Sequence, residues 1–255
     1  MNMMDVYLDA VFYPRIYEKK EIFMQEGWHY VLEDKNASLS IKGVVYNEMK
    51  GALSDPESIL NNAISRSLFP STTYKFESGG NPENIPNLMY EDFLEFHKKY
   101  YHPSNSYIYL YGDMNIEKQL EWIDKEYLSH FEKKHFNLDI LLEKDFSKIA
   151  LLEDTFSVNT KEEEKRNTFL SYNIRVGKST NPVLIFALDV LNYILLETNA
   201  SPLKKALIDL GIAEEVEGWF DSSSYDMVFS IIAKKSEREN VNIFHGSYTA
   251  HSHTI

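Results

Sequence analysis

The sequence contains no cysteine. That excludes disulfides and thiolate metal sites, and it suits a reducing compartment, so a cytoplasmic location is the expectation. Basic charge is also scarce: 26 Lys and Arg face 39 Asp and Glu, for a net charge of −13. Phosphate backbones are bound by a basic stripe, and no run of Lys or Arg supplies one, so a nucleic-acid partner is not expected. An acidic surface is compatible with basic peptides, and it is also plain solubility chemistry. Long apolar runs are missing as well. No stretch reaches the roughly 18–20 residues of a membrane span. The best candidate, residues 182–196, is interrupted by Asp189 and Asn192, so no membrane partner is expected. The first residues, Met1-Asn2-Met3-Met4-Asp5, lack the basic-then-apolar order of a signal peptide. Neither a Gly-x-Ser-x-Gly turn, a Walker phosphate loop nor a Rossmann glycine pattern occurs.

What is present is enough for a packed core. The chain has 255 residues, 44% of them hydrophobic, with 17 Tyr and 15 Phe. This length suits one large domain or two of about 100–150 residues. Apolar residues recur at helical spacing over 3–12, as if the chain began mid-pattern, and Pro14 follows. Residues 40–53 read as one amphipathic helix, with Ile41, Val44, Val45, Met49, Ala52 and Leu53 on one face. Ser54-Asp55-Pro56-Glu57 reads as a new helix start in which Ser54 caps and Glu57 completes a capping box. That helix should run to about Leu68. Residues 90–101 and 116–131 are two further helices. Between them Tyr107 to Tyr111 is a β-rich run closed by Gly112-Asp113, with Tyr107, Tyr109 and Tyr111 on one half-buried strand face. Further on, 168–176 reads as a strand and 182–197 as an apolar helix. Ser201-Pro202 starts another helix that Gly211 ends, and 215–220 with 225–233 form a strand pair.

Helix groups thus alternate with antiparallel strands twice, which defines an α+β class. The expected division is a first unit over 1–132, a charged connector over 133–166, a second unit over 167–240, and a tail over 241–255. The connector ends in Lys161-Glu162-Glu163-Glu164-Lys165-Arg166 and reads as solvated. The tail has neither helical nor strand period and reads as aberrant or disordered.

Glu48 is the candidate for chemistry. It lies seven residues after Ile41, four after Val44 and three after Val45, on the apolar stripe rather than the wet face. A carboxylate there needs a cationic partner, a helix end near solvent, or a metal. His97 and His102 are five apart and read as a helix-end packing pair. His251 and His253 lie in the tail, and Trp28, Trp122 and Trp219 are scattered.

Several segments, taken in order, resemble the presequence-protease branch of the pitrilysin/insulinase superfamily of zinc metallopeptidases. They are Val6-Tyr7-Leu8-Asp9-Ala10-Val11-Phe12-Tyr13-Pro14, Gln25-Glu26-Gly27-Trp28-His29-Tyr30 and Gly43-Val44-Val45-Tyr46-Asn47-Glu48-Met49-Lys50-Gly51, then Ser78-Gly79-Gly80-Asn81-Pro82 and Phe96-His97-Lys98-Lys99-Tyr100-Tyr101-His102-Pro103-Ser104-Asn105. The resemblance extends to about residue 240. It implies two successive pitrilysin-type units, each an antiparallel sheet with packed helices and each truncated. It also implies that Glu48 matches the family's glutamate zinc ligand. In that family two histidines of a His-x-x-Glu-His helix complete the zinc site, and the glutamate inside the motif is the general base. The histidines here are His29, His97, His102, His130, His135, His245, His251 and His253, and none begins that motif. The resemblance therefore implies one zinc ligand of three, no catalytic residue of its own, and no stable zinc in this chain alone. Two readings stand. One is a piece of a zinc metalloendopeptidase of unfolded peptides, inactive unless another chain supplies the histidine helix. The other is a non-catalytic peptide-binding partner half or a degenerate truncated product. Substrate-binding residues are not assigned by either.

Overall fold

The computed structural model describes residues 2–137, 139, 141–146, 148–158 and 165–251, with side chains as far as 246. In chain order the elements are α1 (Asn2–Phe12), α2 (Lys20–Glu26), β1 (His29–Val31), β2 (Ser40–Lys42), α3 (Val44–Ala52), α4 (Pro56–Leu68) and α5 (Tyr90–Tyr100). There follow α6 (Ile116–Glu126), β3 (Thr168–Lys178), α7 (Pro182–Asn192), α8 (Pro202–Asp209), β4 (Glu215–Asp221), β5 (Asp226–Ser236) and α9 (Val241–His251). The class is α+β. Local chemistry sets most helix starts. Asn115 accepts from the Lys118 N–H at 3.1 Å, and Asn181 accepts from the Leu184 N–H at 3.1 Å just before Pro182. The cap of α4 is Asp55, accepting from the Ser58 N–H at 2.9 Å, and not Ser54 as the sequence suggested.

The stretch read as one helix over 40–53 is a strand and a helix. Ser40–Lys42 pairs antiparallel with His29–Val31, Ile41 opposite Tyr30, and α3 begins only after Gly43. Ile41 is therefore not on the helix that carries Glu48.

The chain divides into two compact units. The first is Met1–Leu53 with Glu77–Leu142, and the second is Ser54–Phe76 with Glu143–Ile255. This differs from the division drawn from the sequence in two ways. Residues 54–76 belong to the second unit, because α4 buries Ile64, Leu68 and Phe69 against Val228 of β5. Lys234 also joins it, pairing with Glu57 at 2.6 Å and Glu217 at 2.7 Å. Nearly all described residues of the expected connector are exposed, as read from the sequence, but a few of them over 143–156 are tied to the second unit. Glu143 is buried and accepts from the Ser71 N–H at 2.7 Å. Glu153 pairs with Arg238, Asp154 with Arg66, and Phe156 packs edge-on against Phe169. The 161–164 charge run lies outside the described residues.

In the first unit, α1 packs through Phe12 and Tyr13 on Phe131, with ring centroids 5.3 and 5.8 Å apart. Phe23 of α2 meets Tyr90 and Phe93 of α5 at 5.9 and 5.4 Å. Residues 107–111 are not a strand in this unit, and their tyrosines are not half-buried: each is at least 85% exposed.

The second unit is built on an antiparallel sheet of order β3-β5-β4. Central β5 is buried over 226–233, and alternate residues serve two faces. Phe229, Ile231 and Ala233 face a core with Leu170, Leu196, Leu207, Ile212, Val216 and Phe244. Val228 faces α4. A Cβ on Gly218 would fall 2.0 Å from Asn192 Oδ1 and 2.5 Å from Leu196 Cδ1, so this glycine lets the α7 side of the core close onto β4. Among the described residues one helical run, Pro182–Asp209, is long and apolar enough to cross a membrane by length and composition, which the sequence reading had not counted. Within it Leu196 and Leu207 are fully buried in the sheet core. The tail reading is corrected too. Val241–His251 is helical, and Phe244 is only 3% exposed because it fills the core above β3 and β4. Residues 252–255, including His253, lie outside the described residues.

Candidate functional site

Helix α3 is positioned by contacts that only small residues allow. Gly43 ends the β1–β2 hairpin and leads into α3, and a Cβ there would sit 2.0 Å from the Gly27 carbonyl oxygen and 2.8 Å from Trp28 Cα. The Trp28 indole N–H donates to the Leu88 carbonyl at 3.1 Å, and the His29 Nδ1–H donates to the Met24 carbonyl at 2.7 Å. On the opposite flank Met49 lies against Gly79, where a Cβ would fall 2.1 Å from the Met49 sulfur. Gly80 follows with φ +90, a left-handed conformation that favours glycine, and supports buried Ile85. The segments Gly27-Trp28-His29, Gly43 to Gly51 and Gly79-Gly80 are thus one packed neighbourhood around α3.

Glu48 projects from the exposed side of that helix. Val44, Glu48, Gly51 and Ala52 are all exposed, and Met49 is the buried residue of α3. The apolar stripe read from the sequence is therefore real in spacing but mostly uncovered, and Val45 is only half-buried. Among the described residues no hydrogen bond or ion pair engages the Glu48 carboxylate. Nor do the described residues contain any group of three or more His, Asp or Glu side chains that could hold a metal. A catalytic zinc takes three protein ligands and leaves the fourth position to water. One exposed carboxylate does not fit that donor set.

The buried histidines do other work. The His97 Nε2–H donates to the Val11 carbonyl at 2.9 Å, which leaves Nδ1 to accept from the Tyr17 hydroxyl at 2.8 Å. Both ring nitrogens are occupied, so this histidine is a strut between α5 and the end of α1. His102 accepts from the Ser104 N–H at 3.1 Å through Nδ1 and packs between Phe131 and Phe136. Its pKa is held below the usual 6.5 by burial and then by the Lys134 charge. The two rings line a depression of about 560 Å³ with Phe12, Tyr17, Lys98 and Lys134.

Sequence reasoning missed two polar clusters. Tyr127 bonds to Asp5, 122 residues away. On the sheet of the second unit, Arg175 and Asp226 are both nearly buried and 3.8 Å apart, and Arg175 also donates to the Glu143 and Lys144 carbonyls. Both clusters join residues remote in sequence, and neither has a local signature.

The packed glycine-rich neighbourhood and the outward carboxylate of α3 thus sit in an α+β chain whose described residues hold no metal-binding group. Residues 87–242, more than half of the chain, match the family described as Peptidase M16 inactive domain, and the chain belongs to the peptidase M16 family. Over 237 residues it is 51% identical to Protein HypA of Clostridium perfringens, covering 93% of this chain and 24% of that one. It is 39% identical to Presequence protease 1, chloroplastic/mitochondrial, of Arabidopsis thaliana, covering 94% and 22%. With the mitochondrial presequence protease of Schizosaccharomyces pombe it shares 33%, covering 94% and 24%. The chain thus spans about a quarter of the length of these relatives. Among solved structures, a chain of Complex III2 from Candida albicans, Inz-5 bound, aligns with a TM-score of 0.53 at 15% identity, over 76% of this chain and 46% of its own, a likeness of fold alone.

Proposed function

We propose that this chain is one portion of an M16 zinc metalloendopeptidase that hydrolyses unfolded peptides in the cytoplasm, and that it is inactive by itself. The carrying observation is Glu48: an exposed, unpaired carboxylate on a helix fixed at both flanks by Gly43 and Gly79. A carboxylate so placed suits metal ligation by a partner surface, because α3 cannot shift to rescue a wrong geometry. Zinc, where a complete site exists, would supply Lewis-acid polarisation of the scissile carbonyl and an activated water. Glu48 would contribute one of its ligands. Two histidines and a general base, expected on a His-x-x-Glu-His helix, would come from outside the sequence given.

The test is peptide cleavage by the purified chain with added zinc, alone and mixed with a polypeptide carrying the histidine helix. Chelator-sensitive cleavage should be absent alone, appear in the mixture, and vanish with Glu48→Gln. Cleavage by the mixture that survives Glu48→Gln would overturn the assignment of this residue.

A second reading is favoured by the matched family description, which names an inactive domain. On that reading the chain is a non-catalytic half that binds peptide. Saturable peptide binding without cleavage, in the mixture as well as alone, would select it.

A further inference from the structure

Four buried side-chain atoms of the second unit have no hydrogen-bond partner among the described residues: Asn173 Oδ1, Arg175 Nε, Ser230 Oγ and Thr72 Oγ1. The sheet register gathers three of them. Asn173 lies directly opposite Ser230, and Arg175 directly opposite Val228. Alternation along the strands sets Asn173, Arg175, Val228 and Ser230 on the same face, the one that α4 covers. Thr72 follows α4, and its neighbour Ser71 binds Glu143, whose carbonyl accepts from Arg175. Ser230 is 0% exposed and Thr72 is 5% exposed. Chain beyond the sequence given can deepen such burial but does not undo it. Buried polar atoms are otherwise satisfied almost without exception, by protein or by ordered water.

We propose that this face is a binding site for structural water, seated between Asn173 Oδ1 and Ser230 Oγ, with the polar seam continuing to Arg175 and Thr72. The donor and acceptor set selects the ligand. The Asn173 amide nitrogen donates to Ser171 Oγ at 2.9 Å, which leaves its carbonyl oxygen to accept. Ser230 donates or accepts, and Arg175 Nε only donates. A cation in this seam would meet the Arg175 guanidinium. An anion would meet the Asn173 carbonyl oxygen and, past Arg175, the Asp226 carboxylate 3.8 Å from it. Water is neutral and does both jobs: it donates to Asn173 Oδ1 and accepts from the Ser230 hydroxyl. Its remaining donor and acceptor match Thr72 Oγ1 and Arg175 Nε, directly or through a second water.

Side-chain length supplies the room. Val228 and Ile232 flank Ser230 on the same face, and both are branched and buried. A layer resting on those two stands off the shorter serine. The depth left there is polar on two sides, as a buried water requires, and such a water makes about three hydrogen bonds. The cross-strand pair Asn173–Ser230 is then joined through the water rather than directly.

Water-to-protein NOE spectra and water relaxation dispersion on the full 255-residue chain test this. The wild type should show cross-peaks from long-lived water to the Asn173 side-chain amide and to the Ser230 main-chain N–H. The double variant Asn173→Val, Ser230→Val replaces both polar groups and fills the space. It should lose those cross-peaks and hold at least one long-lived water fewer. Its thermal melt should lie at or above that of Ser230→Ala, because swapping both partners for apolar groups leaves no polar atom dry. A wild type without the cross-peaks would overturn the proposal, and that result does not depend on any variant folding. So would a double variant that keeps the full number of long-lived waters, or one that melts well below Ser230→Ala, since valine would then have found no room.

Discussion

The Tyr127 hydroxyl donates to the Asp5 carboxylate at 2.6 Å and lies 2.9 Å from the Asp5 main-chain oxygen. Tyr127 is 5% exposed, so this bond anchors the first turn of α1 from the end of α6. Burial, then the Asp5 carboxylate, push the phenol pKa from 10.0 up to about 12. A raised folded-state value means that the neutral phenol stabilises the fold. That contribution is complete below pH 10 and is lost as pH rises from 10 towards 12. Tyr127→Phe should cost about 1.5–3 kcal/mol, the range for a hydrogen bond to a charged group. It should also flatten the alkaline limb of a urea-midpoint profile. An unchanged alkaline limb in the variant would remove Tyr127 as its source.

Gly79 and Gly43 make a paired test of how α3 is held. Gly79→Ala places a methyl 2.1 Å from the Met49 sulfur, a flexible neighbour. Overpacking of this kind costs about 1–3 kcal/mol, and Met49→Ala in the same chain should recover part of it. Gly43→Ala meets the backbone of Gly27 and Trp28 instead. Its cost should reach or exceed the top of the roughly 1–3 kcal/mol overpacking range, and no side-chain deletion should relieve it. Thermal melts of the three variants and the double variant decide the matter. Equal losses at both glycines would show that backbone contact is not what separates them.

The same two glycines show what was legible in the sequence. Glycine in a turn between patterned segments is visible as a breaker, yet the helical spacing of Val44, Val45 and Met49 extended back to Ile41 and hid the break at Gly43. Period alone cannot place a helix start one residue after a strand. The strands β3, β4 and β5 were legible because β-branched and aromatic residues cluster between clear turns. The destination of α4 was not. Its Asp55 cap and apolar face are local, but the sheet face that covers it is formed by Val228, far along the chain. Tyr107 to Tyr111 went wrong the other way: strand propensity was read correctly, but propensity does not provide a neighbour. Glu48 was singled out by helical spacing and by the resemblance, but spacing could not show that its side of α3 is left exposed.

His102 gives the chain an acid-sensitive contact. Burial and the charge on Lys134 hold its pKa below 6.5, so the neutral ring is favoured in the folded state. Protonation would also remove the lone pair that accepts the Ser104 N–H. Stability should therefore be complete above pH 6.5 and fall as pH drops below it, where the unfolded chain takes up the proton more readily. Lys134→Met should raise the His102 pKa measured by NMR and shrink the acid loss. A His102 that titrates at or above 6.5 in the folded wild type would contradict this account.

Arg175 should be the residue whose loss unfastens residues 143–146 from the second unit. Its side chain is 10% exposed, and that of Asp226 is 6% exposed at 3.8 Å. Its guanidinium donates to the carbonyls of Glu143 and Lys144 and lies 5.0 Å over the Phe146 ring. Glu143 itself is buried, which alone would raise its pKa. The N–H groups of Ser71 and Lys144, with the Arg175 charge, hold it below 4.5 instead. Among the described residues, Arg175→Met would leave Asp226 paired with Lys178 alone, whose side chain is 41% exposed. Breaking a buried pair costs about 3–5 kcal/mol, and the remaining lysine places this case near the low end. Lys178→Met removes a half-exposed partner and should cost below about 1 kcal/mol. Limited proteolysis should follow the same order. Arg175→Met should be cut early within 143–146, while the wild type and Lys178→Met are not. Early cutting there in the wild type would show that these contacts do not hold the segment, and a milder effect for Arg175→Met than for Lys178→Met would show that Asp226 depends on the lysine instead.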